Sequence, residues 1–216
     1  MIRSFVITIQ DLPQSVELAE RCISTGARHG IHIEKFDAVT PRNTDVYDEM
    51  TKLGIHQARF DEVYSRTQNC MAAFLSHYTL WTRCAAGNET YTIFEHDAVI
   101  INTINPHMTF DKVVSLGQPS YGKFNVPNHL GAGPLTSKPY FPGAHAYRLS
   151  PKGAQLLVEA ASTLAAPTDV YLHINNFPWL QEHYPWLAVV DDTFTTIQKP
   201  KGCFAKHNYG TDYDII

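Results

Sequence analysis

The sequence predicts a single α/β domain: a central, mostly parallel β-sheet flanked by helices. Three observations carry that prediction. The first forty residues read as strand, helix, strand, the repeating unit of a parallel sheet. Tyr91-Thr92-Ile93-Phe94 is a short run apolar enough to lie in the middle of a sheet. Ser150-Pro151, a capping residue followed by proline at the first helical position, opens a helix directly after another strand.

Taken in order, Ser4 to Ile9 is a β-branched run and reads as the first strand. Asp11-Leu12-Pro13 starts a helix toward Arg28, with Val16, Leu18, Ala19, Cys22 and Ile23 on its apolar face. Ile31 to Val39 alternates as a second strand, broken by Thr40-Pro41-Arg42-Asn43. Asp45 to Asp61 holds a short helix. Thr67 caps the next one, where Cys70, Ala73, Phe74, His77, Trp81 and Cys84 recur at spacings of three and four; that stripe is mostly core, and Gly87 ends the helix. The Tyr91–Phe94 strand then runs straight into Glu95-His96-Asp97. Asp111 to Leu116 is a fourth strand, closed by Gly117.

Residues 118 to 142 are rich in Gly, Pro, Asn and Ser and read as a long loop, of the kind that is functional or ordered by ligand. Within it His129-Leu130-Gly131-Ala132-Gly133-Pro134 reads as flexible, because no helix follows to make it a phosphate loop. Ala144 to Leu149 is a strand and Pro151 to Ala165 a helix. Trp186 to Val190 and Phe194 to Gln198 read as strands, and residues 199 to 216 form a tail or lid.

Composition sets the outer limits. With 44% hydrophobic and 18% charged residues in 216, the chain is globular rather than disordered, and a chain this long buries roughly 70% of its extended surface. A net charge of −4 argues against a strongly basic nucleic-acid binder, although it leaves room for a local patch. No apolar run of about 18 residues suggests a membrane span, and the opening residues lack a signal-peptide core. Cys22, Cys70, Cys84 and Cys203 form no C-x-x-C pair, so they are expected to be reduced and buried. Together these features predict a cytoplasmic protein.

The chemistry concentrates at Glu95-His96-Asp97. Two carboxylates two residues apart follow a central strand, and strand periodicity would point both to one side. Ligands of open α/β sheets bind at the carboxyl ends of strands. Carboxylates there suit a hard cation, Mn²⁺ or Mg²⁺, that bridges nucleotide phosphates. A solvated turn is the plain alternative. A lone histidine, such as His145, His173 or His207, is more often structural than a ligand, but eleven histidines make some clustering at a site plausible. Lys199, Lys201 and Lys206 make a small basic tail, usually only a solvated surface but able to meet a diphosphate or an anionic acceptor. No G-x-S-x-G, Walker or G-x-G-x-x-G pattern is present.

The order of these pieces resembles glycosyltransferase family 25. Phe5-Val6-Ile7-Thr8-Ile9 is similar to the family's opening strand, without its usual Asn-Leu. Ala72-Ala73-Phe74-Leu75-Ser76-His77, with Trp81 beyond, resembles its Gly-Cys-x-Leu-Ser-His signature; Leu-Ser-His is kept and Gly-Cys is lost. Glu95-His96-Asp97-Ala98 resembles Glu-Asp-Asp-Ala, with His in place of the middle Asp. Ser115-Leu116-Gly117 resembles a later strand end. Gly143-Ala144-His145-Ala146-Tyr147, Ser150-Pro151-Lys152-Gly153-Ala154 and Pro167-Thr168-Asp169 are similar to later motifs.

The resemblance implies a Rossmann-like GT-A fold over residues 1–216. It also implies an inverting hexosyltransferase that moves galactose or glucose from a UDP-sugar to a glycan or glycoconjugate hydroxyl, with Mn²⁺ or Mg²⁺. On that reading Glu95 and Asp97 hold the metal, with His207 as a third ligand by analogy to the wider fold. Ser76, His77, Glu95 and Lys206 face the donor, the tail closes over it, and Asp169, with Asp191 behind it, is the general base. Two alternatives stand beside this one. The first is a phage-type enzyme acting on a hydroxymethylated DNA base, which the basic tail permits and the net charge disfavours. The second is a non-catalytic nucleotide- or carbohydrate-binding module on a degenerate GT-A fold, suggested by the Glu-His-Asp departure.

Overall fold

The computed structural model describes residues 1–61, 65–105, 107–190 and 194–199, and the backbone of 214–215. In chain order the elements are β1 (Ile2–Thr8), α1 (Pro13–Arg28), β2 (Glu34–Asp37), α2 (Val46–Lys52), a 3₁₀ turn (Ala58–Phe60), α3 (Thr67–Ala85), β3 (Thr90–Glu95), β4 (Ala98–Ile100) and β5 (Val113–Ser115). There follow β6 (Gly131–Pro134), β7 (Ala146–Leu149), α4 (Pro151–Leu164), α5 (Thr168–Tyr171), β8 (Gln181–Tyr184), β9 (Ala188–Val190), β10 (Phe194–Thr195) and β11 (Asp214–Ile215).

Seven strands form the central sheet in the order β2-β1-β3-β7-β5-β8-β6. Five of them run one way; only β7 and β6 oppose. The sheet is therefore mostly parallel, Rossmann-like and consistent with the GT-A expectation. Its two faces are covered by different helices, as the period of two requires. Phe5, Ile7, Ile93, Tyr147 and Leu149 point to α3 and α4, into the larger core. Val6, Phe94, Val114 and Ala146 point the other way, toward Ala19 and Cys22 of α1. β3 lies between β1 and β7, and its Tyr91, Thr92, Ile93 and Phe94 are all buried, as expected of a central strand.

The helix starts follow their local chemistry. Pro13 stands at the first position of α1, where a missing N–H costs nothing. The Ser150 hydroxyl accepts from the Gly153 N–H and caps α4. α3 begins at Thr67, but no side-chain cap holds it. Its preceding Arg66 N–H instead donates to the Ile197 carbonyl, tying the helix to the C-terminal segment.

Several elements depart from expectation. β2 is only four residues long, because Ile33 tucks under α1 against Gly26. The glycine-rich stretch read as flexible loop contains β6, an edge strand antiparallel to β8. An edge tolerates its Gly and Pro residues, since one side needs no ladder partner. β8 and α5 carry no apolar pattern and were not foreseen; β8 is polar because Glu182 works as an internal acceptor. That buried carboxylate takes the N–H groups of Thr136 and Ser137 at 2.6 and 2.8 Å. Trp186 to Val190 and Phe194 to Gln198 shorten to β9 and β10, each in its own two-stranded sheet. Cys22, Cys70 and Cys84 are buried thiols, as expected, and Cys203 lies outside the described residues. No helix among the described residues is long and apolar enough to cross a membrane.

Candidate functional site

The parallel strands β1, β2, β3 and β5 all end at one edge of the sheet, and the Glu95-His96-Asp97 turn stands at its centre. Glu95 is the last residue of β3. Its N–H donates to the His145 carbonyl at 2.9 Å. Its carboxylate meets the Nε2 of His77, from α3, at 3.1 Å. His77 is fully buried, and burial pushes its pKa down to about 3, so the ring is neutral.

That neutrality fixes the direction of a buried chain of hydrogen bonds. The indole Nε1 of Trp81 can only donate, and it donates to the Tyr147 hydroxyl at 2.7 Å. At the other end the Glu95 carboxylate can only accept, so neutral His77 keeps its proton on Nε2 and donates it there. The His77 Nδ1 then accepts from the Tyr147 hydroxyl, 2.8 Å away. Trp81, Tyr147 and His77 are all essentially inaccessible to water. The chain holds one face of the Glu95 carboxylate in place from inside the core.

Asp97 has a different environment. Strand alternation stops at Glu95, because His96 and Asp97 form a turn before β4 leaves the sheet. Glu95 consequently reaches toward α3, while Asp97 acts electrostatically on Cys22 of α1 and on His96 and His145. The expectation that one strand period aims both carboxylates alike is not met, for this reason. The Asp97 Oδ1 is buried with no hydrogen-bond partner. His96 accepts or donates at Nδ1 to the Ser15 hydroxyl, which also takes the Ile9 N–H. Its ring stacks on Phe194 at 5.5 Å. Residues 194–198 thus cross the edge from His96 to the start of α3, so the root of the tail borders this turn.

His145 sits one residue before β7, after a turn in which Gly143 and Ala144 both have positive φ, 76° and 49°. A positive φ is costly for alanine and marks a backbone held by its surroundings. The imidazole lies against Gly117, where a Cβ would come within 2.3 Å of it. Burial pushes its pKa down, while Asp97 pulls it back up.

The edge continues past Gly143, whose missing side chain leaves room for Ser120, to a second cluster. The Tyr121 hydroxyl donates to the Asp169 carboxylate at 2.9 Å, and the Val170 N–H donates to the other oxygen. Burial and the Asp169 charge both push the Tyr121 pKa up, so it stays a donor. Tyr140 lies beside Tyr121 and stacks on His173, their ring centroids 6.0 Å apart. The Lys138 ammonium stands over both tyrosine rings, at 5.1 and 5.5 Å.

The expected site residues therefore divide. His77, Glu95 and Asp97 stand together at the strand edge, and Asp169 lies on its flank. The Ser76 hydroxyl is fully buried, takes the Val39 N–H and donates to the Ala72 carbonyl; it joins α3 to the end of β2. Asp191, Lys206 and His207 lie outside the described residues. Among the described residues no group of three His, Cys, Asp or Glu side chains could hold a metal ion. Trp81 and Tyr147 were legible only as core, yet both are polar links to Glu95. Tyr121 and Lys138 were hidden in the loop, whose excess of Tyr and Lys was the available signal.

A family model described as glycosyltransferase family 25 (LPS biosynthesis protein) matches residues 1–113, just over half of the chain. No curated protein matches it. The matched segment holds β1 through the start of β5, and with them Ser76, His77, Glu95 and Asp97, while Asp169 and the loop lie beyond it. With the resemblance carried by Leu75-Ser76-His77 and Glu95-His96-Asp97-Ala98 on the same segment, the chain belongs to glycosyltransferase family 25 and is a glycosyltransferase.

Proposed function

We propose that the enzyme transfers a hexose, galactose or glucose, from a UDP-sugar to a hydroxyl of a glycan or glycoconjugate, with inversion. The observation that carries this reading is the Glu95–Asp97 turn at the carboxyl end of the central strand, with one Asp97 oxygen buried and unpartnered. A divalent cation fits there: an orphaned carboxylate oxygen is a hard anionic donor, and Mn²⁺ or Mg²⁺ keeps room for water and phosphate ligands. Asp97 would hold it, with Glu95 helping directly or through water and His207 as a candidate third ligand. When bound, such an ion neutralises the departing diphosphate.

The chain's own residues do the rest. His77 keeps Glu95 oriented without adding a charge, because it is neutral. Asp169 is the candidate base: it receives the proton of the acceptor hydroxyl as that oxygen attacks the anomeric carbon. Tyr121 fixes the orientation of the Asp169 carboxylate. Lys206 is a candidate partner for the diphosphate.

The test is Asp97→Asn, which keeps the shape and removes the charge. Mn²⁺-dependent UDP binding, followed by calorimetry, should be lost, and turnover should fall by at least about 100-fold, the scale of one lost electrostatic contact in the transition state. Unchanged Mn²⁺-dependent UDP binding would sink the assignment.

A further inference from the structure

Next to the Tyr121–Asp169 pair the loop forms an open, shallow cleft of about 280 Å³, lined by Lys123, Phe124, Asn125, Ser137, Lys138 and Tyr140, with Pro139 between the last two. Its size falls just below the usual roughly 300–1,000 Å³ of small-molecule pockets. It has room for one sugar unit rather than a chain of them.

Two features give the cleft a definite chemistry. Lys123 and Lys138 both line it, and neither makes an ion pair among the described residues. This pair of cations stands out on a chain whose net charge is −4. Lys138 is also held in place. It is half-buried, with its ammonium over the faces of Tyr121 and Tyr140. Gly122, at φ 68°, leaves the space the ammonium occupies; a Cβ there would come within 2.9 Å of Nζ. A lysine on a solvated surface normally keeps its four-carbon stem mobile. Here ring faces and a glycine hold one at the wall of a cleft, within ion-pair distance of no carboxylate among the described residues.

The cleft is polarised. Lys123 and Lys138 line it, and the Asp169 carboxylate lies at the hydroxyl end of Tyr121, whose ring Lys138 covers. A carboxylate repels anions and accepts from sugar hydroxyls, ring faces suit the apolar side of a pyranose, and ammonium groups attract anions.

We infer that this cleft is an acceptor subsite for a negatively charged sugar unit, its carboxylate or phosphate group at Lys138 and Lys123 and its hydroxyl side toward Asp169. That placement rests on the proposed acceptor role of the Asp169 side. The anion preference itself needs no donor and no turnover.

The experiment therefore measures binding without donor. Saturation-transfer NMR titrations would use methyl glucuronide, glucose 6-phosphate and neutral methyl glucoside on the whole protein, at low and at 0.5 M salt. The charged sugars should bind at least about 10-fold tighter than the neutral one at low salt, and salt should erase the difference. Either charged probe alone showing the effect supports the site and tells carboxylate from phosphate. Lys138→Gln should remove most of the preference for the charged sugars, while neutral-sugar binding and the unfolding midpoint stay unchanged. Lys123→Gln should remove part of the preference. Equal binding of charged and neutral sugars by the wild type would overturn the inference, as would a preference that survives both substitutions. Failure of the transferase reading would look different: anion-selective binding would persist while UDP-sugar turnover was absent.

Discussion

The two flanks of the strand edge are built in opposite ways. On the α3–β3 side, Trp81, Tyr147 and His77 form a dry, one-directional chain of hydrogen bonds ending on Glu95. On the loop side, Tyr121, Lys138, Tyr140 and Asp169 meet through ring faces and the Tyr121–Asp169 hydroxyl bond, all half-buried. A buried polar chain is high-stakes, since every member needs its partner. A half-exposed cluster can replace a lost partner with water. The first arrangement suits a part of the site that must not vary; the second suits a part that recognises a particular acceptor. The family match falls mainly on the first flank: it includes His77, Trp81 and Glu95, leaves out Tyr147, and stops before all of the second.

Deleting one hydroxyl from each flank is the strongest way to break that comparison. Tyr147→Phe leaves the Trp81 N–H without an acceptor and His77 Nδ1 without a donor, both buried. Each orphaned group costs about 1–3 kcal/mol. If Glu95 is the metal ligand proposed above, turnover should fall roughly 10–100-fold as it loses its support, the scale seen when a partner that orients a ligand is removed. Tyr121→Phe should leave the unfolding free energy from urea titration within about 1 kcal/mol of wild type, and its effect should appear in kcat. Equal loss of stability in the two variants would erase the distinction between the flanks.

A pH titration sharpens it further. His77 is held neutral in the fold, its pKa pushed down to about 3, against an unfolded value of 6.5. Between those two values the unfolded chain binds the extra proton, so stability falls as pH drops from 6.5 toward 3 and is insensitive to His77 above 6.5. One such group contributes a slope of at most about 1.4 kcal/mol per pH unit. Burial pushes His96 and His145 the same way, and they add to it. His77→Gln should remove one group's share of that slope when urea unfolding is compared at pH 7 and pH 5. An unaltered slope would mean that His77 is not the buried neutral base described.

The contrast also explains what the sequence could reveal. The strand-helix-strand opening, the apolar β3 and the Ser150-Pro151 helix start are local signals, and each appears where expected. Glu95 and Asp97 were legible because acidic residues after a central strand are unusual. Their divergence was not, since it depends on the strand ending at Glu95 rather than continuing. β6 and β8 were invisible because their pairing partners lie some fifty residues apart and their residues are glycine, proline or polar. The Trp81–Tyr147–His77 chain was masked by its own helical spacing, which reads as core. The Tyr121–Lys138 cluster comes together only through the folding of a loop, for which no periodicity exists.

The smallest effect separates packed frame from adaptable loop. Gly153→Ala, in α4, would set a methyl 2.3 Å from the Lys112 backbone carbonyl, which cannot swing aside. Gly122→Ala places its methyl 2.9 Å from Lys138 Nζ, the far end of a flexible side chain, so the clash is relieved by moving the ammonium. What remains is the positive φ of 68°, which costs an alanine about 1–2 kcal/mol and which a loop can partly relax. Gly122→Ala should therefore fold with a modest drop in the unfolding midpoint. The displaced ammonium should raise the KM for a negatively charged acceptor a few-fold, leaving kcat and the KM for the UDP-sugar as they were. A rise in the donor KM instead would place Lys138 on the donor side of the edge, and the division between the two flanks would have to be redrawn there.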